Sequence, residues 1–158
     1  MSNVWRLHGA GPGLCTLAID LGKGAACVYA AAAAGLEPRS CGAIGFAAVL
    51  GHCYSAFTEF RGGKGVATAG GALLALCPSL FLCLLGIWAA LRWLTGKASP
   101  GALAAAVALL PLAYWLAPGL LQTGFALALL VGWRHRENIY RLAEGRELPA
   151  SSTRWTPR

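Results

Sequence analysis

Charged residues are scarce in this 158-residue chain. Asp, Glu, Lys and Arg make up 12% of the sequence and hydrophobic residues 57%, whereas a soluble domain carries about 25% charged residues. The hydrophobic residues form long runs that do not alternate with polar ones, as the strands of a membrane β-barrel would. The runs are Gly24–Leu36, Cys41–Leu50, Val66–Leu91 and Gly101–Trp133. This composition excludes an ordinary soluble domain and predicts an all-α, polytopic bundle of transmembrane helices.

The sequence also lacks the signatures of metal sites, disulfide frameworks and covalent catalysis. It has three histidines, too few for a metal site, and six cysteines with no C-x-x-C spacing, which we interpret as small packing residues. No Ser or Cys lies in a nucleophile elbow. The N-terminus lacks the charged and then apolar layout of a cleavable signal. We therefore expect no metal, no cofactor and no protein nucleophile.

Acidic residues are few as well: six against 13 Lys and Arg, for a net charge of +7. In a soluble protein this excess would suggest nucleic acid. In a membrane protein, Lys and Arg are typical of cytoplasmic loops. We therefore expect a lipid bilayer, and not nucleic acid, as the partner of this basic chain.

Gly and Pro residues divide the apolar sequence into about six predicted spans. Their approximate ranges are 10–34, 40–58, 64–77, 78–94, 100–117 and 118–134. Pro78 leaves two alternatives open, because Val66–Leu94 is either two short helices or one long helix with a proline kink. Each short helix falls below the roughly 20 residues of a normal span, so length alone favours the kinked helix.

The distribution of positive charge favours two helices. With two helices, one side of the membrane collects Arg6, Arg61, Lys64, Arg92, Lys97, Arg134, Arg136, Arg141, Arg146, Arg154 and Arg158, and the other side has only Arg39. A single kinked helix would divide the charges far less unevenly. Membrane proteins concentrate Lys and Arg on the cytoplasmic side. Two helices also place "RGGKG" and the C-terminal basic segment on one side, where they can share a site.

The glycine-rich stretch "RGGKGVAT", residues 61–68, is a candidate anion site. It is not a P-loop, since Gly65 follows Lys64 where that motif has Lys and then Ser or Thr. A glycine turn that leads into a helix nevertheless offers free N–H groups and the positive end of the helix dipole. The alternative is a flexible membrane loop with ordinary cytoplasmic charges.

Two further polar groups interrupt the apolar sequence. In "WRHRENIYRLAEGRE", predicted to be a helix that leaves the membrane, His135 and Asn138 share a face, and Gly145 is a candidate C-terminal cap. The alternative is a basic helix that rests on anionic headgroups. Asp20 and Lys23 lie three residues apart on an apolar span, either as a mutual ion pair or as a support for a neighbouring polar site.

These segments resemble a known family. "LGHCYSAFTEFRGGKGVAT" and "RHRENIYRLAEGRE" are similar to the second and third motifs of the bacterial acyl-phosphate:glycerol-3-phosphate acyltransferases, the PlsY family, and "SNVWRL" followed by "LAIDLGKGA" is similar to the end of the first motif and the next helix. On this alignment the sequence lacks the family's first helix and the first half of its first motif. Its six spans correspond to the last six of seven.

The resemblance implies transfer of an acyl group from acyl phosphate to the 1-hydroxyl of glycerol 3-phosphate, which gives lysophosphatidic acid. It implies these catalytic residues: Arg6, Lys64, His135 and Asn138. It implies phosphate or substrate binding by Asn3, Asp20, Lys23, Arg61, Gly62, Gly63, Gly65 and Thr68. The general base stays open between His135 and the oxygens of the donor phosphate.

The resemblance further implies a multi-pass protein of the bacterial inner membrane whose active site faces the cytoplasm. Residues 1–147 would form one membrane domain, and residues 148–158 a polar, disordered tail. A soluble enzyme that makes acyl phosphate is a further partner that the resemblance suggests. Two alternatives remain: a small transporter of organic phosphates, and an inactive shortened relative of the enzyme.

The topology is testable with reporter fusions. Because the positive residues concentrate on one side, fusions after Lys64, Lys97 and Arg146 are expected to report the cytoplasm, and a fusion after Arg39 the opposite side. A fusion after Lys97 that reports the outer side would contradict the two-helix arrangement.

Overall fold

The fold is entirely helical in the part of the chain that the computed structural model describes. That part comprises residues 2–149, with side chains from Val4 onward. Eight α-helices occur within it: α1 (Ser2–His8), α2 (Ala10–Ala33), α3 (Pro38–Cys53), α4 (Val66–Leu76), α5 (Pro78–Thr95), α6 (Ala98–Leu116), α7 (Leu121–Arg134) and α8 (Arg136–Ala143). Short 3₁₀ turns occupy Ala56–Thr58 and Pro118–Leu120. The all-α prediction is confirmed, whereas the tail from residue 150 onward lies outside the described residues.

Four segments are long and apolar enough to cross a membrane, and each coincides with a predicted span. They are Ala10–Ala33, Pro38–Thr58, Pro78–Thr95 and Ala98–Leu116. The two other predicted spans correspond to shorter helices, α4 with 11 residues and α7 with 14. Large apolar side chains cover the outside of the bundle: Ile19, Trp93, Val107 and Trp115 are each at least two thirds exposed. Such an outer surface suits lipid and not water.

The doubtful region around Pro78 forms two helices. Cys77 has an extended backbone, with φ −155° and ψ 90°, and Pro78 starts α5 as its first residue. Glu147 accepts hydrogen bonds from Ser99, just beyond the end of α5, and from Asn138, which also binds Lys64 just before α4. The start of α4 and the end of α5 therefore lie at the same end of the bundle. The helices are antiparallel, and the alternative of one kinked helix is wrong.

Small residues bring α2 and α4 into backbone contact. A Cβ atom on Gly24 would lie 2.1 Å from the carbonyl oxygen of Thr68, and one on Gly71 would lie 1.9 Å from that of Leu21. Close approach through glycine is a common way for membrane helices to associate, since lipid supplies no hydrophobic force between them. This contact fixes the position of α4, and with it the glycine-rich turn before α4.

Alanine at Gly71 is expected to destabilise the bundle. The new methyl group must push the α2 and α4 backbones apart, at a cost of about 1–3 kcal/mol in the free energy of unfolding. The matched control is Gly22→Ala on α2, where a Cβ atom meets nothing within 4 Å. That variant should be neutral or slightly stabilising, because Ala favours helix over Gly. Unfolding in detergent measures both, and equal stability of the two variants would contradict the prediction.

Candidate active site

A cavity of about 490 Å³ opens between α2, α4, α5, α6 and α7. Its lining residues recur at helical spacing, as in the series Ser99, Ala102, Ala105 and Leu109 along α6, and His135, Val131 and Leu127 back along α7. In each series the residue at the helix end is polar and the residues deeper in the bundle are apolar. Ten residues of helix span about 15 Å. The cavity is therefore an apolar cleft about 15 Å deep with a polar head.

Hydrogen bonds join three distant chain segments at the polar head. The Lys64 ammonium donates to Asn138 Oδ1, and Asn138 Nδ2 donates to Glu147 Oε1 over 2.6 Å. Glu147 also accepts from the Ser99 hydroxyl and, over 2.8 Å, from Arg141 Nε. Lys64 and the C-terminal segment thus share one site, as predicted from the charge distribution.

His135 and Asn138 lie side by side in this head, 3% and 4% exposed. The His135 ring contacts the carbonyl oxygen of Val131 through Nδ1 at 2.8 Å. A carbonyl oxygen can only accept, so Nδ1 carries the proton and Nε2 keeps its lone pair. Burial lowers the pKa of His135 to about 4. His135 is therefore neutral near pH 7, with an acceptor nitrogen at the cavity wall.

Positive charge exceeds negative charge at the head. Burial above all, together with the nearby Arg141, lowers the pKa of Lys64 to about 8, against the opposing effect of Glu147. Burial also lowers the pKa of Arg6, which lines the same cavity. Burial alone would raise the pKa of Glu147, but its hydrogen bonds from Ser99, Arg141 and Asn138 bring it below the usual range. With Lys64, Arg6 and Arg141 near Glu147, the head has an excess of positive charge that would favour an anion.

The glycine turn has a different use from the predicted one. The N–H groups of Gly62 and Gly63 donate to the carbonyl oxygens of Cys53 and His52, both over 3.2 Å. The carbonyl oxygens of the same two glycines accept from Arg134, over 2.9 and 3.1 Å. Because these amides are already engaged, we correct the prediction that they bind phosphate. Gly62 and Gly63 anchor the turn, although Gly63 also lines the cavity.

Backbone N–H groups suited to an anion lie just after the glycine turn, at the start of α4. Gly65 is left-handed, with φ +81°, and its carbonyl accepts the helix's first hydrogen bond, from Ala69 N–H over 2.8 Å. The N–H groups of Val66 and Ala67 therefore have no partner within the helix, and both residues line the cavity. The helix start and Lys64 together offer the N–H donors and the positive charge that suit an anion.

Asp20 and Lys23 form the predicted ion pair, with Lys23 Nζ 2.6 Å from Asp20 Oδ1. The same ammonium lies 2.6 Å from His52 Nδ1. Asp20 and His52 line the cavity, whereas Lys23 is not among the described residues that do so. The geometry favours the second of the two alternatives, a pair that supports the adjacent polar site, and it places Lys23 outside the described cavity wall.

Two other predicted binding residues, Arg61 and Thr68, lie away from the described cavity wall. Arg61 is exposed and is not among the described residues that line the cavity. Thr68 is fully buried on the side of α4 that contacts Gly24, again away from the described cavity wall. The structure therefore does not support substrate contacts by Arg61 or Thr68. The side chain of Asn3 lies outside the described part of the chain.

The sequence analysis missed five polar residues of this region: His52, Ser99, Arg134, Arg141 and Glu147. Glu147 had a usable signal, since Gly145, with φ +66°, ends α8 as predicted and turns the chain back. Arg134 and Arg141 were counted among the positive charges that indicate topology. Ser99 and His52 carried no local signal, because their partners lie 48 and 29 residues away.

Sequence comparisons agree with the motif resemblance. The family model described as glycerol-3-phosphate acyltransferase matches residues 1–145. The glycerol-3-phosphate acyltransferase of Pseudomonas syringae pv. tomato is 44% identical over 146 residues, which cover 92% of this chain and 76% of that protein. The enzyme of Thermus thermophilus is 44% identical over 148 residues, which cover 92% and 74%.

Structural comparison gives the same result. Two crystal structures of PlsY, an integral membrane glycerol 3-phosphate acyltransferase, superpose with a TM-score of 0.86 at 32% identity. One is the lysophosphatidic acid form and the other the glycerol 3-phosphate form, and the match covers 94% of this chain and 77% and 76% of theirs. The chain is thus an integral membrane protein, and it belongs to the glycerol-3-phosphate acyltransferase family.

Proposed function

We propose that this protein transfers an acyl group from acyl phosphate to the 1-hydroxyl of glycerol 3-phosphate and releases lysophosphatidic acid and inorganic phosphate. The observation that carries the proposal is the cationic head, with Lys64 and Arg6, at the end of a deep apolar cleft. A molecule with a phosphate at one end and a long hydrocarbon chain at the other matches both parts. Membership of the family supplies the acceptor, glycerol 3-phosphate.

Binding and orientation account for most of the chemistry. Acyl phosphate is a mixed anhydride, so it is already activated and needs no covalent enzyme intermediate. Lys64, Arg6 and the start of α4 hold the donor phosphate, and the apolar cleft takes its acyl chain. The site must also admit a second phosphate close by, and the excess of cations offsets the repulsion between the two anions. Holding the two reactants close together in a reactive orientation removes much of the entropy cost from the activation barrier.

His135 is suited to orient the attacking hydroxyl. Its Nε2 lone pair can accept the hydrogen of the 1-hydroxyl, while Asn138 lies on the same face. A histidine with a pKa of about 4 is a weak base at pH 7, so full proton transfer to it is unfavourable. As the hydroxyl oxygen bonds to the carbonyl carbon and the bond to phosphate breaks, the proton passes to the departing phosphate. Of the two bases left open by the sequence, this favours the donor phosphate.

The transporter alternative fits the geometry less well. An organic-phosphate carrier needs its cations near the middle of the bilayer, with access from both sides. Here Lys64 and Arg6 lie at one end of the cleft, and Lys23 is paired with Asp20.

We propose six spans, with α4 and α7 as the short ones, and a polar head that faces the cytoplasm, because Lys and Arg concentrate at that end.

The donor assignment is tested with purified protein in detergent. Lysophosphatidic acid should form from acyl phosphate and glycerol 3-phosphate, without acyl-coenzyme A or acyl carrier protein. Lys64→Ala should lower turnover by at least ten- to a hundred-fold, because a charge-assisted hydrogen bond contributes about 1.5–3 kcal/mol. The matched control is Arg92→Ala, a charge at the same end of the bundle that is not among the described cavity residues. Product from acyl-coenzyme A alone, or no product at all, would contradict the proposal.

The rate should depend on pH through Lys64 and His135. The lowered pKa of Lys64, about 8, means that its charge is lost above that pH, so kcat/KM should fall on the alkaline side. The lowered pKa of His135, about 4, keeps the ring neutral above that pH, so no loss from its protonation is expected between about pH 5 and 7. In Lys64→Arg the remaining activity should not fall near pH 8, because Arg stays charged. An unchanged alkaline fall in that variant would assign it to another group.

A further inference from the structure

A cluster of three side chains lies directly behind the glycine turn. Lys23 donates to Asp20 Oδ1 over 2.6 Å and contacts His52 Nδ1 at the same distance. The Asp20 and His52 side chains are 9% and 14% exposed, and the Lys23 side chain is 38% exposed. Asp20 and His52 reach the cavity wall, yet the mechanism above uses none of the three. Ionisable groups on a membrane span are costly unless they have a structural or functional use.

The contacts determine how the His52 ring is held. An ammonium has hydrogens to donate and no lone pair, so His52 Nδ1 is the acceptor in its contact with Lys23. The proton of the neutral ring then lies on Nε2. Asp20 in turn fixes the Lys23 ammonium, so the position and tautomer of His52 depend on both residues.

The other edge of the ring packs against Gly63. A Cβ atom built on Gly63 would lie 2.1 Å from His52 Nε2 and 2.8 Å from Cε1. The backbone is joined at the same place, since Gly63 N–H donates to the His52 carbonyl over 3.2 Å. On its opposite side the turn is held by Arg134, which donates to the carbonyl oxygens of Gly62 and Gly63. The residue after Gly63 is Lys64, so any shift of this turn moves the ammonium at the polar head.

We propose that Asp20, Lys23 and His52 form a positioning relay: Asp20 holds Lys23, Lys23 holds the His52 ring, and the ring holds the Gly63 turn that aims Lys64 at the substrate phosphate. The inference rests on the proposed function, and it replaces the predicted substrate contacts of Asp20 and Lys23. The relay also accounts for the glycine at position 63, because a side chain there would displace the ring.

The test is a double-mutant cycle between His52→Ala and Gly63→Ala. Each single variant should lower kcat/KM by about ten- to a hundred-fold, the scale of a misplaced catalytic group. Because both changes disrupt one contact, the double variant should lose no more than the worse single variant. Lys23→Met should lower activity alone and add nothing to His52→Ala. The control is His8→Ala, an exposed histidine of α1.

Two further measurements separate positioning from folding and from the proposed function. His52→Gln, whose amide oxygen can still accept a hydrogen bond from Lys23, should recover part of the loss even if His52→Ala folds poorly. Addition of glycerol 3-phosphate should raise the unfolding temperature of the parent and of His8→Ala, and do so less for the relay variants, whether or not turnover is detected.

The outcomes are distinguishable. A parent that is stabilised by glycerol 3-phosphate but transfers no acyl group contradicts the proposed function and leaves the relay to be judged by the stabilisation alone. Losses that multiply in the double variant, or a His52→Ala variant with parental activity and parental stabilisation, would overturn the relay.

Discussion

The hydrogen bond between Lys64 and Asn138 is the contact on which the site depends. It joins side chains 74 residues apart, one before α4 and the other on α8. It forms only because α4 and α5 are antiparallel, which returns the chain to the same end of the bundle. The close α2–α4 contact fixes the position of Lys64 along the bundle axis, and the hydrogen bond to Glu147 fixes the orientation of the Asn138 amide. Packing deep in the apolar bundle and polar geometry at its end are thus parts of one arrangement.

The polar head is prepared for anions by charges that the protein does not fully neutralise. Burial and the neighbouring Arg141 lower the pKa of Lys64, which means that the charged form is less stable there than in water. A bound phosphate reverses this penalty, because an opposite charge nearby favours the ammonium. The cost of burying these charges is met when the protein folds, so the site is already organised to stabilise a bound phosphate. The family's acceptor and its proposed donor both carry phosphate, and both benefit from the same cations.

Local patterns predicted the helices well and the contacts between them poorly. The apolar runs and the residues Pro78 and Gly145 placed most helix ends within a few residues of the structure. The third helix ends at Cys53, earlier than predicted, because Tyr54 leaves helical geometry and the chain returns so that Gly62 and Gly63 can bond its last turn. The Asp20–Lys23 pair was predictable from its spacing of three residues. Its third member, His52, was not, because nothing local to α3 indicates which helix faces it.

Thr68 shows the same limit on a single helix. The cavity residues of α4 are Val66, Ala67, Ala69, Gly70 and Leu73, and this pattern leaves Thr68 and Gly71 on the face that packs against α2. The helical period therefore implied that the residues of this motif divide between two faces. Which face meets the substrate depends on where α2 packs, and that follows from the glycines at positions 24 and 71 taken together. A signature motif in a membrane helix thus mixes residues that bind with residues that allow close packing, and only the neighbouring helix distinguishes them.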